Sequence, residues 1–294
     1  MASRHQSNRD RIASVARKTA AREWRQIDPH NIRASYQRAV QRILAILTAA
    51  QLKSAKESSA YLAASAQAQG ATGEQAAINA AAFAGVASDG RSLVGLLQSP
   101  AIQTLIAIQD GTTPKQALAY GGVALDRIVG TQTYDAGRIA DGVGVAATRT
   151  CRGYVRMADV PCCDRCAILA GRFYRWSAGF QRHPNCGCTN VPVFTGEPKL
   201  EGQDPMELFR NGDIRHMSQA DIKAVKDGAD LNQVVNAHRG MSVAGGRKVT
   251  RESTTKRGVM RGRPGQRLMP EQIYKEAKTR DEAIELLRAN RFIF

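Results

Sequence analysis

At 294 residues the chain can bury one large core or two modest ones. Aromatic residues make up only 5% against 43% apolar residues in all, which points to an Ala-rich interior of helices packed at close range. The net charge of +16 does not decide the fold, but it predicts attraction to polyanions such as nucleic acid or an acidic protein surface. The opening MASRHQSNRDRIASVARK has no apolar stretch of the kind a secretory signal needs. The longest uncharged run, Ser92–Gln109, is broken by Gly95 and Pro100 and falls short of a membrane span. The expectation is a protein made in the cytoplasm with no membrane partner, where a reducing environment favours metal over disulfides for the cysteines.

Residues 7–27 are basic and carry Ile12, Val15, Ala16, Ala20, Trp24 and Ile27 at helical spacing. Asp28-Pro29 interrupts, and Asn31 is placed to cap a second helix whose apolar stripe is Ile32, Tyr36, Val40, Ile43 and Leu47, with Arg33, Arg38 and Arg42 off the stripe. The first 60 residues hold twelve Lys and Arg against four acids, half of the excess charge. Such a segment is either a bundle helix pair or an arm that leaves the body for a neighbouring subunit. Residues 58–150 are poor in charge and rich in Ala and Gly, and suggest short helices with close crossings. Thr113-Pro114-x-Gln116 opens one toward Ile128; Gly130 separates it from another capped by Thr131 and carrying Tyr134, Ile139 and Val143.

The chemistry is concentrated in residues 161–192, which hold five of the six cysteines. Cys163-x-x-Cys166 sets two thiols across one tight turn, and His183-x-x-Cys186-x-Cys188 supplies a second half-site after 16 intervening residues. Five candidate ligands stand where a closed zinc site needs four. Arg172–Trp176 alternates like a strand between the halves. A structural Zn²⁺ site through Cys163, Cys166, Cys186 and Cys188, with His183 as the alternative ligand, fits this spacing. Disulfides, a reduced cluster without metal, or a Cys–His catalytic pair are the competing readings, and the last lacks a recognisable orienting group.

Downstream, Asp204-Pro205 opens a short helix, Ser218-x-x-Asp221 forms a capping-box start to another that Gly228 stops, and Leu231, Val234 and Val235 share a face of the next. Residues 241–266 are Gly- and Arg-rich and read as a flexible basic loop. Its Arg247, Lys248, Arg251, Lys256, Arg257, Arg261 and Arg263 are candidates for sequence-independent contact with DNA phosphates. Pro270 and Asp281–Arg288 begin two last helices, and the tail Arg291-Phe292-Ile293-Phe294 is expected to pack. The fold class expected is α+β and predominantly helical. A helical region over residues 1–150 precedes a small zinc-stapled cysteine-rich α+β unit over 151–240, then a basic loop and C-terminal helices over 241–294.

Pro161-x-Cys163-x-Arg165-Cys166-x-x-Leu169-Ala170-Gly171-x-x-Tyr174-Arg175-Trp176, followed by Gly179-Phe180-x-Arg182-His183-Pro184-x-Cys186-x-Cys188, resembles the signature of phage Mu F-like minor head proteins. Asp227-Gly228-Ala229-Asp230 through Val234-Val235-Asn236-Ala237-x-Arg239-Gly240 extends the likeness to roughly residues 150–290. The nearest form is that of actinobacterial tailed phages, where some members are labelled capsid maturation proteins. Cys162 is an extra thiol beside the motif. The resemblance implies a virion structural protein inside the head near the portal, with portal and major capsid proteins and packaged double-stranded DNA as partners. A capsid maturation protease and a free zinc-dependent nucleic-acid-binding protein are the alternatives. No catalytic constellation is visible, so an enzyme is not expected.

Overall fold

Asn31, Ser92, Asp204, Ser218, Asp230 and Thr279 each turn a side-chain oxygen onto a backbone N–H of the helix that follows, satisfying donors a helix start leaves open. The computed structural model describes residues 1–179, 182–196, 200–253, 259 and 265–294. Its elements begin with α1 (Ala2–Trp24), α2 (Ile32–Ala68), α3 (Leu93–Gln109), α4 (Pro114–Ala147) and β1 (Gly153–Met157). Then come β2 (Cys162–Cys163), α5 (Asp164–Ala167), β3 (Phe173–Arg175), β4 (Thr189–Val193), α6 (Pro205–Arg210), β5 (Ile214–Arg215), α7 (Gln219–Lys226) and α8 (Leu231–Ala237). The chain ends with β6 (Met241–Ala244), β7 (Arg247–Thr250), β8 (Arg267–Leu268), α9 (Pro270–Glu276) and α10 (Arg280–Ala289). The fold is α+β and predominantly helical, as expected. Two compact units are present: Met1–Asp159 with Arg172–Lys199, and Val160–Gly171 with Leu200–Phe294.

In the first unit α1, α2 and α3 pack on α4, and the stripe Ile32, Tyr36, Val40, Ile43 and Leu47 is buried throughout. Ile12, Ala16, Ala20, Trp24 and Leu97 join that core, so α1 belongs to the body rather than forming a free arm. Val15 departs from the expected stripe and is 59% exposed, while His5, Gln6 and Arg9 on the same helix are buried. Trp24 donates to Leu118 O at 2.9 Å and meets Tyr36 edge-on, and the Tyr36 hydroxyl donates to Leu97 O. Behind α4 lies an antiparallel sheet in the order β3-β1-β4.

Three expectations for this half are corrected. The helix from Pro114 does not end near Ile128; α4 runs unbroken to Ala147, and Thr131 lies inside it. Gly130 is no helix break, because a Cβ there would fall 2.4 Å from Asn185 Oδ1; the residue is small to let that side chain approach. Thr113 does not cap the backbone, since its hydroxyl bonds the Gln116 amide oxygen at 2.8 Å instead. Helix α3 runs through Pro100 without interruption. Gly121 is the tightest crossing: an added Cβ would sit 2.1 Å from Thr104 Oγ1 and 2.5 Å from the Trp24 ring. Gly121→Ala is therefore expected to destabilise the first unit by about 1–2 kcal/mol. Overpacking of roughly 1–3 kcal/mol outweighs the better helix propensity of Ala, and urea unfolding measures the difference.

The second unit gathers α5–α10 around Leu231, Val234, Met269, Ile273, Leu287 and Phe292. Strand β2 pairs in parallel with β5. Residues 241–250 are not a flexible loop: β6 and β7 form a hairpin closed by Gly245-Gly246, whose φ values of 58° and 75° suit a tight hairpin turn, and β8 extends the sheet. The capping box of Ser218 and Asp221 forms in full. The tail packs through Phe292, which is fully buried, although Phe294 is exposed. Arg267, also fully buried, stacks over the Phe292 ring and donates to Asn290 O at 2.8 Å, holding the tail in place.

Candidate functional site

Each cysteine half-site is shaped by its own unit. In the second unit, Cys163 ends β2 and caps the single turn of α5, its Sγ accepting from Cys166 N at 3.4 Å. The turn within the Cys163-x-x-Cys166 pair thus brings one backbone N–H onto its first sulfur. Cys162 is its strand neighbour, so the two side chains leave opposite faces of β2. Cys166 is buried and Cys163 half-buried.

In the first unit, residues 182–188 are strapped to α4 by three side chains on one helix face. Thr131 accepts from Asn185 N at 2.9 Å, Asp135 receives a two-pronged contact from Arg182 at 2.5 and 2.8 Å, and Arg138 donates to Cys188 O at 3.0 Å and to Cys186 O. From α1, Gln6 donates to Gly187 O at 3.2 Å. Cys186 and Cys188 are both buried. Arg156 on β1 is buried with them, its guanidinium 3.8 Å from Cys186 Sγ and 3.5 Å from Cys188 Sγ. A buried cation beside two sulfurs would offset the negative charge that metal-bound thiolates carry. His183 Nδ1 donates to Pro184 O at 2.8 Å.

None of the six cysteines is joined in a disulfide. Cys151 stands apart: it is buried, burial pushes its thiol up, and it bonds Gly153 O at 3.3 Å, the marks of an inert core residue. Among the described residues, Cys163, Cys166, His183, Cys186 and Cys188 are side chains that could hold a metal ion. Soft thiolate donors with one imidazole form a donor set that suits metals such as zinc. The sequence pattern does not mark Arg156, Arg138 or Asp135 as belonging to this site, and marks Thr131 only as a helix cap. The available signal for Arg156 was a lone charge inside the apolar strand Tyr154-Val155-Arg156-Met157.

The expected phosphate-contacting residues divide. Arg247 pairs with Glu276 at 2.9 Å and Lys248 with Glu271 at 2.6 Å, both on the surface, and Arg251 is exposed after β7. Lys256, Arg257, Arg261 and Arg263 lie outside the described residues. Among the described residues no helix is long and apolar enough to cross a membrane.

No curated protein and no solved structure matches the chain. The family model of the VG15 protein matches residues 1–211, which takes in all of α1–α4, the three-stranded sheet and both cysteine half-sites. A match over that much of the chain is membership: the protein belongs to the VG15 protein family, a family of phage proteins.

Proposed function

We propose that this phage protein is a minor head protein of the virion, inside the head near the portal, where it acts as a structural part. The observation that carries the reading is the family match over residues 1–211 combined with the Mu F-like pattern of cysteines, His183-Pro184 and Leu169-Ala170-Gly171. In this reading one structural Zn²⁺ is held by Cys163, Cys166, Cys186 and Cys188, with His183 as the substitute ligand. Four protein ligands leave no open position, so the ion would staple the fold without activating water. Portal and major capsid proteins are its protein partners, and its cationic surfaces face packaged duplex DNA without reading sequence.

A structural rather than proteolytic role is supported by the best-formed histidine–carboxylate pair of the second unit. His238 Nε2 lies 3.0 Å from Asp221 Oδ2, and that same oxygen is held by the Ser218 hydroxyl at 2.6 Å. The carboxylate stands between hydroxyl and imidazole, whereas a nucleophile must face its base directly. The test is complementation of a phage lacking the gene. We expect deletion to impair head assembly or infectivity, and Cys162→Ser and His183→Ala each to leave capsid-protein cleavage unchanged on a gel. Mass spectrometry of purified virions should find the protein among the particle components. Loss of cleavage in a normally folded Cys162→Ser or His183→Ala variant would make it a capsid maturation protease, and absence from virions would sink the head-protein reading.

A further inference from the structure

The N-terminal cations are not spent equally. Arg9 is buried against Asp141 at 2.7 Å, Arg42 pairs with Glu23 at 2.5 Å, and Arg17 forms a two-pronged pair with Asp126 at 2.7 and 2.5 Å. Beside that last pair runs a cleft of about 430 Å³ lined by Ser14, Arg17, Lys18, Ala21, Arg22, Arg25 and Asp126. Asp126 is its only acid among the described residues and is paired with Arg17. Lys18, Arg22 and Arg25 are exposed and take part in no ion pair among the described residues. Arg25 follows α1 with helical backbone angles, so the three cations fall at positions i, i+4 and i+7 of one face. At about 1.5 Å of rise per residue they span roughly 10.5 Å. Phosphates of one duplex strand advance about 3.4 Å each along the axis, so that span covers about three of them.

We propose that this cleft is a binding site for the sugar–phosphate backbone of duplex DNA, separate from the basic segment after residue 246, and the proposal rests on the DNA-facing role given above. Among the described residues no aromatic side chain lines the cleft, so bases find no stacking platform there and single strands gain no advantage. Ser14 can donate to a phosphate oxygen, and the Arg17–Asp126 pair fixes the wall against which the strand lies.

The experiment measures affinity of the full chain for a random-sequence duplex by fluorescence anisotropy across salt concentrations. Three proteins are compared: wild type, Lys18→Gln/Arg22→Gln/Arg25→Gln, and a charge-matched control, Arg33→Gln/Arg38→Gln/Lys53→Gln, on the exposed surface of α2. Three lost contacts at about 0.9 each should flatten the log–log salt slope by about 2.7 in the cleft variant, with less than one unit of change in the control. Equal flattening in both variants, or an unchanged slope in the cleft variant while the wild type binds, overturns the cleft alone. No salt-dependent binding by the wild type removes the DNA-facing role itself. A single-stranded oligonucleotide bound tighter than the duplex, or anionic vesicles bound in its place, would also overturn the assignment.

Discussion

Asp141→Asn is expected to destabilise the first unit by about 3–5 kcal/mol, the cost of leaving a buried charge without its partner. Asp141 is buried between Arg9 Nη1 at 2.7 Å and His5 Nε2 at 3.3 Å. Arg9 also donates to Gly137 O at 2.7 Å, and the His5 ring stacks on Tyr61 at 3.7 Å. Without the carboxylate the guanidinium stays in the interior as an unmatched cation. Urea unfolding should show the loss, and a paired Arg9→Met/Asp141→Leu replacement should recover much of it, since removing both charges together avoids that cost. A loss below about 1 kcal/mol would show that the pair contributes little.

The same carboxylate sets an acid limit. Burial pushes Asp141 up, but Arg9 and His5 outweigh it and hold the carboxyl at about 2, below the ordinary 3.8. A depressed value means the stabilisation is present above the unfolded-state value near 4 and is lost as pH falls through the folded-state value near 2. Between pH 5 and pH 2 the first unit should therefore lose on the order of 2 kcal/mol through this group. The Asn variant should lack that component.

Cys166→Ser is expected to reduce bound zinc from about one equivalent to under a tenth, and to lower the melting temperature steeply. The unfolded chain holds no preformed site, so metal-binding energy becomes folding energy, on the order of 10 kcal/mol for structural zinc sites. Cys166 is buried next to the sulfur that caps its own turn, so serine supplies neither the thiolate nor the volume. Cys151→Ser is the control that should keep the metal, because that thiol bonds Gly153 O and Val193 O away from the half-sites. Metal below a tenth of an equivalent in wild-type protein purified without chelator would refute the zinc centre.

What the sequence disclosed was local. The caps at Asn31, Asp204 and Ser218 and the stripe from Ile32 to Leu47 depend on residues within a few turns, and all of them appear in the structure. The thiol pairs were legible for the same reason. Their support was not: Arg138 reaches Cys186 across 48 residues and Arg156 reaches Cys188 across 32. The continuity of α4 was hidden because Gly130 reads as a breaker until Asn185, far along the chain, is brought against it. Arg9 carried the same ambiguity. It looks like one more surface cation, and only its partner 132 positions later places it inside.

The division of the chain also orders events during synthesis. The first unit needs both Met1–Asp159 and Arg172–Lys199, and the stretch Val160–Gly171 between them belongs to the second unit. A ribosome that has just released Asp159 has exposed four helices and one edge-unpaired strand, β1, whose two antiparallel partners are not yet made. At roughly 5–20 residues per second, those partners follow only after a few seconds. During that interval both edges of β1 carry open backbone groups, to which another strand can pair.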